Sequence, residues 1–196
     1  MYRKQLTWQK ILCFAAIAVS AIVFLYALGL MTDLYDSLYS TMPYPDDPDT
    51  TDVPGSQIYY HMQPYNKQLL SASIIMILLS CLLFITSTHS RRRYYIGNVF
   101  SSAAWTGAGV WYAIWAHGQS ELYKAEFLQI DFDELLFFSE LWETPYIDST
   151  FWFDAHYVVF GLVILVGILL IGNLCWKFCL MNAEKKLIEE GKKVAA

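Results

Sequence analysis

Four stretches of this 196-residue chain contain no Asp, Glu, Lys or Arg: Ile11–Met31, Leu69–Thr88, Tyr94–Ala116 and Ala155–Trp176. Each reaches the roughly 20 residues that a bilayer's hydrocarbon core requires. Coupled carriers, pumps and voltage sensors keep ionisable groups at membrane depth, because that is where they bind or sense charge. Their lack here disfavours a lone coupled transporter. No Gly-rich phosphate loop, no Ser/His/Asp order and no nucleophile beside a base is found either, so no enzyme and no cofactor is expected. Asn-x-Ser/Thr acceptors are missing as well, which leans towards a bacterial plasma membrane.

The charge that is present is sorted. Eleven of the thirteen basic residues fall in residues 1–10, 89–93 and 177–196, while fifteen of the eighteen acidic residues fall in 32–68 and 117–154. The positive-inside rule makes the basic stretches cytoplasmic. The expected architecture is therefore an all-α, multi-pass four-helix bundle with both termini inside: spans at 11–31, 69–88, 94–116 and 155–176. An inner basic turn at 89–93 carries Arg91, Arg92 and Arg93, and an extracytoplasmic cap forms from the two acidic loops. Basic residues at anionic lipid headgroups give no reason to expect nucleic acid. The four cysteines, Cys13, Cys81, Cys175 and Cys179, all map to the inner side of this arrangement. No outer disulfide can form within the chain, which argues against tetraspanins and claudins.

Within the spans, residues 101–109 of the third collect Ser, Thr, Ala and Gly, with Ala103/Gly107 four apart, so the third span is expected to be the packing hub, within the chain or against another membrane subunit, with Gly107 as the contact residue for that partner. The second, rich in Leu and Ile, reads as lipid-facing. Five of the six prolines crowd the first loop, whose Gln57–Met62 segment reads as a short strand. Ser120 is placed to cap an amphipathic helix over Glu121–Glu143, stopped at Pro145. Leu128, Leu135 and Trp142 recur every seven residues there beside Phe132 and Phe138. Such a face, with Phe132, Leu135, Phe138 and Trp142 as its anchors, suits contact with a partner.

Four titratable residues stand at one expected membrane face. His117 and Glu121 are four apart at the end of the third span; Asp154 and His156 begin the fourth. If the spans are neighbours, two imidazoles and two carboxylates could hold a divalent metal, or the histidines a haem. Asp46, Asp47, Asp49 and Asp52 lack the glycine and terminal glutamate of an EF-hand and read as a solvated linker.

At Leu30–Tyr39, Thr88–Asn98 and Ser149–Tyr157 the chain resembles uncharacterised bacterial four-span proteins associated with carbohydrate importers of the ATP-binding-cassette type. The resemblance implies a non-catalytic accessory or assembly subunit of such an importer. Its partners would be membrane lipid, a permease-like subunit and an extracytoplasmic solute-binding protein. A homo-oligomeric channel and a metal- or haem-binding protein using His117 and His156 are the alternatives.

Overall fold

The computed structural model describes residues 3–39, 41, 51–87 and 95–194. The basic turn Arg91–Arg93 and the acidic prolines' stretch with Asp46, Asp47 and Asp49 lie outside the described residues. Six helices follow one another: α1 (Arg3–Tyr39), α2 (Ile58–His61), α3 (Gln63–Ser87), α4 (Tyr95–Phe127), α5 (Phe132–Trp142) and α6 (Phe151–Val194). No strand occurs among the described residues.

Three stretches are long and apolar enough to cross a membrane: Arg3–Tyr39, Ile58–Ser87 and Phe151–Gly191. The one proline within these stretches, Pro64, sits at the second residue of α3, where its missing N–H costs no helical bond. Helix α4 is as long, yet its Ser, Thr, Gly, Trp and Tyr residues keep its hydropathy below that of the other three.

All four long helices bury residues at alternating spacings of three and four, the 3.5-residue seam of coiled-coil-like packing. Helix α3 shows it most plainly: Asn66, Leu69, Ser73, Met76, Ser80, Leu83 and Ser87 are all buried. The expectation that this segment is the more lipid-facing one agrees with its lower burial, less than that of Arg3–Tyr39 or Phe151–Gly191, and the seam adds what one side of it packs against. Its small polar residues recur every seven positions and turn inward, leaving Ile74, Ile75, Leu78 and Ile85 exposed on the far side.

The chain divides into two compact units, Met1–Ser20 with Met76–Val110 and Leu162–Ala196, and Ala21–Ile75 with Trp111–Gly161. In the first, Trp105 is fully buried and donates its indole N–H to Ser80 Oγ at 2.7 Å, while Ser20 Oγ lies 2.8 Å from the same hydroxyl. The glycine that permits close approach is Gly109, where an added Cβ would lie 2.8 Å from Val163 Cγ1 and 3.2 Å from Met76 Cε. Gly107 is exposed and a Cβ there would meet nothing within 4 Å. Gly107, the expected contact to a partner subunit, thus lies on the opposite face of α4 from the close approach at Gly109.

An amide network closes the same unit. Gln5 Nε2 donates to Gln9 Oε1 (2.9 Å) and to Asn173 Oδ1 (3.3 Å), and Asn173 Nδ2 donates to Gln9 Oε1 (2.7 Å). Gln9 Nε2 and Asn98 Nδ2 both donate to Ser87 Oγ, at 3.0 and 2.7 Å. Five buried polar side chains from four helices are tied together. Such interhelical bonds contribute about 0.6 kcal/mol each on average in membrane proteins.

The second unit is aromatic. Tyr112 donates its hydroxyl to the Leu69 carbonyl at 2.6 Å and meets Phe160 edge-on, as Tyr26 does. Gly29 accepts the Trp152 indole so closely that a Cβ would stand 2.1 Å from the ring. Trp152 in turn donates to Asp33 Oδ2 at 3.2 Å.

Two local expectations are overturned in this unit. Gln57–Met62 is not a strand: Ile58 and Met62, four apart and both buried, share one face of the turn that α2 forms. The helix expected over Glu121–Glu143 is two helices. Helix α4 continues through Gly118 and Ser120 to Phe127, and Ser120 is no cap but a buried partner of the Tyr65 hydroxyl at 2.8 Å. The chain then turns at 128–131, where Asp131 accepts from the Glu134 N–H and starts α5. The Asp131 N–H donates to the Pro54 carbonyl at 3.1 Å, which fastens this turn to the first loop. Helix α5 ends at Glu143 in the left-handed conformation, φ 51°, just before Pro145.

Candidate metal centre

Helix α4 places His117 and Glu121 one turn apart on one face, and the first turns of α6 bring His156 against them. One ligand atom from each of His117, Glu121 and His156 lies within 4.8 Å of the others. His117 is exposed, Glu121 half-buried and His156 buried, so the cluster has a closed floor and an open side.

His156 is fixed by its backbone. Its Nδ1 meets the Phe153 carbonyl one turn earlier, and a carbonyl can only accept, so the proton is on Nδ1 and Nε2 carries a lone pair. That Nε2 points at His117 Nδ1, 2.9 Å away. An imidazole whose far nitrogen is held by a carbonyl is the usual arrangement of a metal-ligating histidine. Zinc takes nitrogen at about 2.0–2.1 Å, which sets two tetrahedral ligand atoms about 3.3 Å apart. With the His117 proton moved from Nδ1 to its exposed Nε2, a few tenths of an ångström of ring movement would therefore admit an ion between the facing nitrogens, with Glu121 swinging in as the third donor. A haem between these two histidines would require the facing nitrogens to stand farther apart than the 2.9 Å seen here.

Tyr157 supports the cluster on two sides. Its hydroxyl donates to Glu121 Oε1 at 2.8 Å, and its ring packs against His156 and His117 at 4.0 and 5.5 Å between centroids. Orienting partners of this kind are worth about 10–100-fold in metal affinity. The fourth expected donor, Asp154, is engaged elsewhere. Its Oδ1 takes the Lys124 ammonium at 2.5 Å and its Oδ2 accepts from Thr150 Oγ1 at 2.7 Å. The hydrogen bond to Asp154 holds the Lys124 ammonium above its ordinary pKa. Asp154 is therefore a clamp between α4 and α6 and not a member of the cluster.

The other expected contact residues scatter. On α5, Leu135 is buried and Phe132 and Phe138 are half-buried, Phe132 lying edge-on to Phe127; Trp142 is exposed. The exposed apolar side of α5 is Leu136, Phe137, Leu141 and Trp142, one residue round from the expected face. Of the cysteines, Cys13 is buried and Cys81, Cys175 and Cys179 are exposed, all four as free thiols. Three features escaped the sequence reading. Tyr157 is one more aromatic at a helix start. The Lys124–Asp154 pair joins residues thirty apart. The amide network does have a signal in the four-residue spacing of Gln5 and Gln9.

No protein-family model matches the chain, and neither a curated protein nor a solved structure is significantly similar to it.

Proposed function

We propose that the chain is a four-span membrane protein that binds one divalent transition-metal ion, of the zinc class, at its extracytoplasmic face. The observation that carries the proposal is the convergence of His117, Glu121 and His156 with an orienting partner behind two of the three donors. Two imidazoles and one carboxylate form a zinc site that leaves a coordination position open to water or to an incoming ligand. Helix α4, third in chain order, completes the four spans in this reading, since Tyr95–Ser120 holds no Asp, Glu, Lys or Arg. The termini and the basic turn are cytoplasmic by their lysines and arginines, which puts the cluster at the opposite surface, with access from outside.

An accessory role in a larger bacterial membrane complex, such as a solute importer, is the second reading. It is favoured by the apolar side of α5, where Phe137, Leu141 and Trp142 are each more than half exposed. The two readings are compatible, because the cluster and α5 occupy different residues.

The test is elemental analysis of the chain purified in mild detergent, followed by zinc titration against a chromogenic chelator. One equivalent bound, and lost in the His117→Ala/His156→Ala variant, is the expected result. Binding unchanged in that variant would refute the site. Recovery of permease or solute-binding components with a C-terminally tagged chain would support the accessory reading, and recovery of this chain alone would remove it.

A further inference from the structure

In the second unit a groove of about 450 Å³ runs between α3 and α4, lined by Lys67, Gln68, Ser71, Ala72, Trp111 and Trp115, with Ile75 at its far end. Its two ends differ in chemistry. At one end stand the exposed Lys67 ammonium and the Gln68 amide; eight residues on, about 12 Å along the helix at 1.5 Å per residue, Ile75 is half-exposed. The long wall is two indoles, Trp111 and Trp115, stacked 6.3 Å apart at 11°. Trp115 is held from behind by Tyr65 and Tyr112, at 5.4 and 6.0 Å, so the wall is rigid. The floor is made of small residues, Ser71 and Ala72, and Ser71 turns its hydroxyl back to the Lys67 carbonyl at 2.7 Å, leaving an apolar surface. Among the described residues no carboxylate lies within ion-pair distance of Lys67.

We infer that this groove holds one anionic phospholipid, its phosphate on Lys67 and Gln68 and one acyl chain laid along Ala72, Ile75 and Trp111. A cation above an apolar trough suits a ligand that is anionic at one end and hydrocarbon at the other. It does not suit an apolar helix of a second copy, which would leave the ammonium unmatched. Trp and Tyr beside it are the side chains that favour the headgroup boundary, and a lysine there attracts anionic lipid. The inference rests on the membrane-spanning part of the reading above and is independent of the metal.

The test reads tryptophan fluorescence of the full chain in phosphatidylcholine vesicles carrying rising fractions of acyl-brominated phosphatidylglycerol or acyl-brominated phosphatidylcholine. Subtracting the Trp111→Phe/Trp115→Phe variant isolates the groove signal, while quenching of the remaining indoles reports membrane insertion. The expected result is half-maximal quenching of the groove signal at about fivefold less brominated phosphatidylglycerol than phosphatidylcholine. Lys67→Ala abolishes that preference and keeps the quenching; Ala72→Phe, which fills the trough, removes most of the groove quenching. Equal response to both lipids, or a preference that survives Lys67→Ala, overturns the proposal, as does an Ala72→Cys chain that links to itself as a dimer. Loss of quenching from every indole would instead refute membrane insertion.

Discussion

The two units use buried polar groups in opposite ways. In the first, Gln5, Gln9, Ser87, Asn98 and Asn173 spend their donors on one another, and four helices are locked by amides with little left to offer a ligand. In the second, His117, Glu121 and His156 converge; one hydrogen bond joins the two imidazoles, and their other partners lie behind them: a carbonyl behind His156 and the Tyr157 hydroxyl behind Glu121. Donors supported from outside and aimed at a common centre retain the capacity to bind. Donors saturated by each other give cohesion. The physical difference is one of side-chain chemistry, since amides carry donor and acceptor together and satisfy themselves, whereas imidazole nitrogens and a carboxylate present lone pairs.

The largest expected effect breaks the binding side of this comparison. His156→Ala removes the buried, backbone-oriented ligand, and zinc affinity should fall by at least about 100-fold in a competition titration. Next is Gly29→Ala, which drives a methyl group into the Trp152 ring. It should cost about 1–3 kcal/mol, read as a lower thermal midpoint in detergent, because the bulky ring must leave its place. Tyr157→Phe keeps the ring contacts and deletes only the hydroxyl on Glu121, so zinc should bind about tenfold more weakly with the thermal midpoint little changed. The smallest effect on zinc belongs to the cohesive side. Gln9→Leu cuts three bonds of the amide network and should cost about 2 kcal/mol of stability while leaving zinc affinity as in the wild type. A Gln9→Leu chain that bound zinc poorly would mean that the two kinds of polar cluster are not separable.

Much of the helical content was legible because long uncharged runs have one solution in a bilayer. The finer errors have physical causes. Small residues at i, i+4 in Ala103/Gly107 signal where a helix can be approached, and they did not point to Gly109, which is where Val163 and Met76 come close within the chain. Helix α3 is the least buried of the three candidate spans, as its Leu and Ile content led one to expect, but its inward seam was missed because serine was weighed only as relief in an apolar segment. The informative quantity was its seven-residue recurrence at Ser73, Ser80 and Ser87, which marks an inward seam. The single helix expected over Glu121–Glu143 failed at Asp131, a good cap residue sitting in the middle of an otherwise continuous pattern. In the site, His117, Glu121 and His156 were visible as a possible set from the spacing of His117 and Glu121 and the start of the last apolar run. Asp154 was not separable from them, because its partner Lys124 is assigned only by how α4 and α6 pack.

X-ray absorption of the zinc-loaded chain measures the claim most directly. The account predicts a first shell of light atoms at about 2.0–2.1 Å with the outer-shell scattering of two imidazoles, falling to one in His117→Ala. A shell without imidazole scattering, or one identical in wild type and variant, would contradict it.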